Sequence, residues 1–298
     1  MAFEQLGVNY ATQYAKELAN AYPYLSYFGD IYGGEMGERY KPVSGKTVAI
    51  PSMVVSGARA VNRNKITGEF NRNFNNEWQN VTMTMDREWD TIVDPMDIVE
   101  TNDVATIANV TRTFNETQKI PEMDAYMAMK LAAAATTKDT EALTADNILG
   151  VWDNYLAQLK NSRIARDRVR AYLTPESYKL LKQAAGISRF VDISGGGERS
   201  VDRNIGGLDG VKIIETPADL MMSAYDFTEG WSATGSAKQI NILFVDPMAV
   251  AAPVVYETSM MSPPSAQSKG KYIYYERYYY DVFVLNNRKS GIIVNVEA

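Results

Sequence analysis

The sequence predicts an α+β fold with a mixed or antiparallel sheet. Three observations predict it: strand-like runs precede and follow a central group of amphipathic helical stretches, helices and strands do not alternate strictly, and the C-terminal region from Tyr272 to Phe283 is the most aromatic run of the chain. A length of 298 residues allows one large domain or two smaller ones, and a 46% hydrophobic content is enough to bury a real core.

Taken in order, residues 1 to about 30 place Tyr10, Tyr14, Leu18, Tyr22 and Leu25 at near-helical spacing, interrupted by Pro23. They read as a surface helix or as an arm that packs on a neighbour. Lys46–Pro51 is a strand signal, and the polar stretch Ser56–Asn80, rich in Asn and Arg, cannot build a core. Asn80–Arg87 alternates polar and apolar side chains, as a strand with two distinct faces does. The two strands therefore bracket a long hydrophilic excursion, either a loop or a hairpin projecting from the body.

Thr101 or Asn102 can cap a helix carrying Ile107, Val110 and Phe114 on one face. Ile120-Pro121-Glu122 kinks it or starts a second segment, and Met123, Met127, Leu131 and Ala134 continue the stripe as core positions. Asn147–Lys160, with Leu149, Trp152, Leu156 and Leu159, gives another amphipathic helix, and Thr174-Pro175 caps a third. After a Gly- and Asp-rich loop over 192–210, Val211–Glu215 reads as a strand, and the apolar run Ile240–Val245 as a buried one. Three further runs, Tyr272–Tyr275, Tyr278–Leu285 and Gly291–Val296, are expected to form one sheet.

Composition excludes much chemistry. With no Cys and no His there are no disulfides, thiolate nucleophiles or imidazole acid–base steps, and the usual zinc ligands are missing. Ser44-Gly45-Lys46-Thr47 copies the end of a phosphate-binding loop, but Tyr40 stands where that loop needs Gly, and the segment leads into a strand. Ser194-Gly195-Gly196-Gly197 lacks dinucleotide spacing, and Asp86/Glu88 and Asp94/Asp97 read as solvated faces and caps. No catalytic, cofactor or metal residue is expected. The net charge of -6 is spread without long blocks, so no grip on nucleic acid through a basic stripe is expected. Met1–Gln5 shows no basic or apolar leader pattern, and Met248–Tyr256, the longest apolar stretch, is too short to span a bilayer.

The order of these segments resembles the major capsid proteins of tailed bacteriophages with the Hong Kong 97-type fold. The phrases that carry the resemblance are the Arg/Asn/Gly-rich tip with Arg63, Gly68 and Arg72, then Met85-Asp86-Arg87, Val93–Asp97, Ile120–Tyr126 and Tyr280–Asn287. The resemblance implies an N-terminal arm over 1–45, an extended E-loop β-hairpin over 46–94, a P-domain with a long spine helix and sheet from 95–138 and 255–298, and an A-domain over 139–254. It also implies that the hairpin lies over a neighbouring subunit, with Arg59, Arg63, Lys65, Arg72 and Glu77 as inter-subunit contact candidates. Some family members join subunits by a Lys–Asn isopeptide bond, for which Lys65 and Asn286 or Asn287 have the residue types.

The function implied by the resemblance is that of a non-enzymatic coat protein, located in the virion and assembled in the host cytoplasm. It would self-assemble into pentamers and hexamers of an icosahedral head around double-stranded DNA that it holds without sequence specificity. Scaffolding, portal and head-decoration proteins are the implied partners; no membrane is involved. A nanocompartment shell of the encapsulin kind shares the fold and is the nearest alternative. A hydrolase would need convergent Ser/Lys or paired carboxylates, and a monomeric binding module would need an exposed row of the C-terminal tyrosines.

Overall fold

A computed structural model describes residues 26–32, 41–44, 46–58, 74–100, 107–184 and 205–297. The expected N-terminal amphipathic segment, the Thr101/Asn102 cap and most of the 192–210 loop lie outside them. The chain runs α1 (Gly29–Tyr32), β1 (Lys41–Ser44), β2 (Thr47–Val55), β3 (Phe74–Thr82), β4 (Met85–Val93), α2 (Pro95–Glu100), α3 (Ile107–Phe114), α4 (Ile120–Ala134) and β5 (Thr137–Asp139). It continues through α5 (Ile148–Asn161), β6 (Arg170–Leu173), α6 (Pro175–Gln183), β7 (Gly207–Leu208), β8 (Val211–Glu215), β9 (Tyr225–Asp226), β10 (Ser232–Ala233) and β11 (Ile240–Val245). It ends with β12 (Val250–Ala251), β13 (Val254–Ser262), β14 (Tyr272–Tyr280), β15 (Phe283–Val284) and β16 (Ile292–Val296).

β11 is apolar at almost every position because both of its faces are covered. It lies inside a six-stranded mixed sheet of order β5-β16-β11-β6-β8-β7. Leu243 and Val245 point into a core shared with α4, while Ile242 and Phe244 point into a second core built on α5 and α6. Trp152 of α5 meets Phe244 edge to face, with ring centroids 4.7 Å apart. Thr174 caps α6 as its sequence predicts, its hydroxyl accepting from the Ser177 N–H at 3.4 Å.

α4 is buried on nearly all sides because a second sheet covers it opposite the first. That antiparallel sheet, of order β13-β14-β4, turns Tyr278 and Tyr280 into the same core as Met123, Met127 and Leu131. Burying each of these three helical side chains contributes about 1.5–3 kcal/mol. A helix in this position cannot be amphipathic, and its polar residues must find partners indoors. α3 leads into α4 through a π-turn, Asn115–Lys119, in which the Ile120 N–H donates to the Asn115 carbonyl. The widened turn precedes Pro121, whose ring and missing N–H disfavour a regular helix over the preceding four residues.

Two expectations are corrected. Asn80–Arg87 is not one strand: the ladder breaks at Met83-Thr84, with β3 on one side and β4 on the other in different sheets. The break is fixed by Asp281, which accepts from the Thr84 N–H at 2.8 Å and from its hydroxyl at 2.9 Å. The three C-terminal runs likewise do not form one sheet. β14 continues unbroken through Glu276-Arg277, β15 pairs with β12, and β16 joins the six-stranded sheet. Glu276 is tolerated inside the strand because Lys119 pairs with it below the sheet, both side chains being 2% exposed.

Candidate assembly surface

The excursion between the first two predicted strands is a hairpin. β2 and β3 pair antiparallel in continuous register from Thr47↔Thr82 to Val55↔Phe74, and β1 adds a short third strand at the base. Strand pairing starts at Phe74, within the stretch read from sequence as polar and coreless. Its Asn-rich composition has low strand preference, and the ladder to β2 supplies what propensity does not. Ser44 pairs with Thr47, and Thr47 begins β2 rather than a helix, so the resemblance to a phosphate-binding loop has no structural counterpart among the described residues.

The base of the hairpin is tied to the body. Val48 is buried with Met83 and Tyr279, and Val81 and Phe283 pack against them. Around this plug, Asp86 receives Arg277 at 2.9 and 3.1 Å and Lys46 at 2.8 Å. Hydrogen bonds from Arg277 first, and then from Lys46, hold the Asp86 carboxyl well below the usual carboxylate range. Next to it in sequence, Arg87 runs inward. It forks onto Glu122 of α4 with contacts of 2.8 Å and reaches the Phe227 and Gly230 carbonyls. Burial pushes the Glu122 carboxyl up, against the pull of Arg87 and of Tyr280, which donates to it at 3.0 Å.

Beyond the base, one face of the hairpin is apolar and in solvent. Met53, Val55, Phe74 and Trp78 are 59%, 65%, 49% and 52% exposed. The register places all four on the same side, since Val55 lies opposite Phe74, and Met53 and Trp78 follow at two- and four-residue steps. A contiguous apolar stripe on a two-stranded projection marks an interaction site. Sequence reasoning missed it. The signal was the period-two spacing of Met53/Val55 and the i, i+4 spacing of Phe74/Trp78 at the edges of a stretch whose average is hydrophilic.

Of the predicted contact residues, Glu77 lies on β3 opposite Ser52, exposed, on the face away from the stripe. Arg59, Arg63, Lys65 and Arg72 belong to residues 59–73 and lie outside the described residues. The tyrosines of β14 are not a binding row: Tyr274, Tyr278, Tyr279 and Tyr280 are buried against the body. Among the described residues no group of three Asp or Glu could hold a metal ion, and no helix is long and apolar enough to cross a membrane.

No family model and no curated protein matches the sequence. Solved structures do match. A chain of the bacteriophage PhiM1 mature capsid superposes with a TM-score of 0.62 at 12% identity, over 85% of this chain and 82% of that one. The capsid of the cyanophage P-SCSP1u gives 0.59 at 12% identity over 86% and 84%, and a chain of Mycobacterium phage Che8 gives 0.58 at 18% identity over 85% of each. The chain has the fold of tailed-phage capsid subunits, the Hong Kong 97-type fold that the order of its segments resembles.

Proposed function

We propose that this chain is a major capsid protein, a structural subunit that self-assembles into the pentamers and hexamers of an icosahedral phage head enclosing double-stranded DNA. The observation that carries the reading is the β2–β3 hairpin, which holds an apolar stripe in solvent on a fold shared with phage capsid subunits over more than four-fifths of its length. In this reading 46–94 is the E-loop region, α3 and α4 form the spine helix, and the stripe beds on a neighbouring copy. Scaffolding, portal and decoration proteins are then its partners, and the virion its location. Catalysis has no part in it. Phage capsids among the similar structures favour a head over a nanocompartment shell.

The stripe side chains are about half exposed, so covering all four would contribute about 3–6 kcal/mol per contact. Association and ordering costs offset much of that, which suits a shell built from many weak symmetric contacts. Electron microscopy of the purified, overexpressed chain should show closed shells or capsomers. A variant with Met53, Val55, Phe74 and Trp78 all replaced by Ser should stay folded and unassembled. The combined Ala replacement of Arg59, Arg63, Lys65, Arg72 and Glu77 tests the tip in the same way. Shells of normal yield from the Ser variant would overturn the assignment of the stripe.

A further inference from the structure

The cations of this acidic chain are not placed evenly. Lys160, Arg163, Arg166, Arg168, Arg288 and Lys289 are all exposed and converge at one end of the six-stranded sheet from two distant stretches of sequence. Residues 246–248 join the two groups. Arg168 lies 3.5 Å from Asp246, Arg288 donates to the Met248 carbonyl at 3.2 Å, and the Asp246 N–H donates to the Gly291 carbonyl at 2.9 Å. Ile164, between the first cations, packs over Gly291 beside the last ones. Six positive charges against Asp167 and Asp246 leave a local balance of +4 on a chain whose net charge is -6.

Ordinary structural roles account for part of this only. Lys160 and Arg163 end α5, where a helix C-terminus favours cations. The remaining four sit on other segments. Arg163 moreover occupies a position that selects against Arg. The Ile164 N–H donates to the Leu159 carbonyl at 3.0 Å and the Arg163 N–H to the Lys160 carbonyl at 2.9 Å, the Schellman pattern that glycine completes best. Arg163 holds φ at 60°, in the left-handed region where a side chain costs about 1 kcal/mol.

The patch also lacks what a protein partner would use. Among the described residues none of the exposed large hydrophobics lies between Met96 and Val254 or beyond Ile273. Protein interfaces are anchored by buried aromatic and aliphatic residues, as the hairpin stripe could be, whereas charge without apolar anchors, with Arg predominating, suits phosphates. We propose that this patch binds the phosphate backbone of double-stranded DNA without reading sequence. The inference rests on the shell reading, which makes DNA the enclosed polyanion. It also revises the expectation of no basic stripe, because folding adds Arg288 and Lys289 to the cations between Lys160 and Arg168.

Fluorescence anisotropy of the full chain with a short mixed-sequence DNA duplex, across about 50 to 200 mM salt, tests it. Binding should be independent of sequence and weaken steeply with salt, at about 0.9 logarithmic units per phosphate neutralised. Combining Arg163→Gly, Arg166→Ala, Arg288→Ala and Lys289→Ala should flatten that slope by about one unit for each phosphate no longer neutralised, and weaken binding at least tenfold at low salt. Arg163→Gly alone should fold at least as well as the parent while binding less. Arg288→Ala with Lys289→Ala gives a second reading away from the helix end. Unchanged DNA binding in the combined variant, or no binding by the parent chain, overturns the proposal, as does a variant that alters only association between copies. Shells or capsomers seen by microscopy with no DNA affinity would sink this inference alone; absence of both would sink the capsid reading itself.

Discussion

Replacing Asp124 with Asn should abolish a pH dependence of subunit stability that arises at one site. Asp124 sits on α4 facing the segment from Ser26 to Phe28. Its carboxylate accepts from the Ser26 hydroxyl, from the Tyr27 N–H at 2.8 Å and from the Phe28 N–H at 3.4 Å. Phe28 stacks on Tyr172 at 4.1 Å and Tyr32 donates to the Met123 carbonyl at 2.8 Å, so the segment is held on both sides of the carboxyl. These hydrogen bonds do not outweigh burial, which pushes the Asp124 carboxyl from 3.8 up to about 6. The folded state therefore keeps a proton that the unfolded chain releases, and stability falls as pH rises from about 4 to about 6, then levels off. A difference of about two pKa units corresponds to about 3 kcal/mol. Asn retains one acceptor oxygen, for the Tyr27 N–H or for the Phe28 N–H and Ser26 hydroxyl but not for both sides, which is a cost independent of pH, and it carries no charge to bury. Urea unfolding of unassembled subunit, followed by tryptophan fluorescence between pH 4 and 8, should show the parent losing about 3 kcal/mol relative to Asp124→Asn over that window. Other groups titrate as well: Glu122 shifts in the same direction and Asp86 in the opposite one, but both cancel in the difference. Parallel profiles for the two proteins would refute the reasoning.

Two other perturbations test the packing that places the hairpin. Arg87→Met should cost about 3–5 kcal/mol because it leaves the Glu122 carboxylate buried without its cation, and Glu122→Leu should do likewise to Arg87. The double variant should recover much of the loss, read as a coupling energy in a double-mutant cycle. Thr174→Ala removes the cap of α6 and should lower the unfolding free energy by about 1 kcal/mol, with little effect on assembly.

Much of the fold was legible where one residue pattern had one structural solution. Ile240–Val245 and Val211–Glu215 are strands at the predicted residues, and the Thr174-Pro175 start of α6 follows from cap chemistry alone. The failures came where tertiary contacts set the outcome. Nothing local in Asn80–Arg87 signals a break, because Asp281, far along the chain, creates it. Glu276-Arg277 separated two runs in the sequence because a buried carboxylate in a strand makes sense only with Lys119 beneath it. The same holds for the candidate surfaces. The residues, unable to build a core, left a loop or a hairpin open and the resemblance implied the hairpin, but its apolar stripe required the register. The basic patch required the fold, since only the packing of residues 246–248 and 291 brings Arg288 and Lys289 beside the cation-rich stretch from Lys160 to Arg168.

The body and the hairpin are stabilised by different means. In the body, buried ionic groups around α4 find partners across the β13-β14-β4 sheet: Lys119 pairs with Glu276, Arg87 with Glu122, and Asp281 accepts from Tyr126 at 2.7 Å with Lys130 at 3.6 Å. Such pairs contribute little net stability, because desolvation offsets their attraction. Together, however, they link α4 and the π-turn before it to fixed positions on β4, β14 and the residue after β14, so sliding the sheet along the helix by one residue would leave several charges buried and unmatched. The hairpin emerges from those same strands, at Lys46–Asp86–Arg277, and inherits their orientation. Past Ile50 its internal support is mainly the β2–β3 ladder, and a lone two-stranded ribbon is marginal in water. A body that fixes direction and a ribbon that withholds its apolar face from that body fit a subunit whose last increment of stability comes from a second copy.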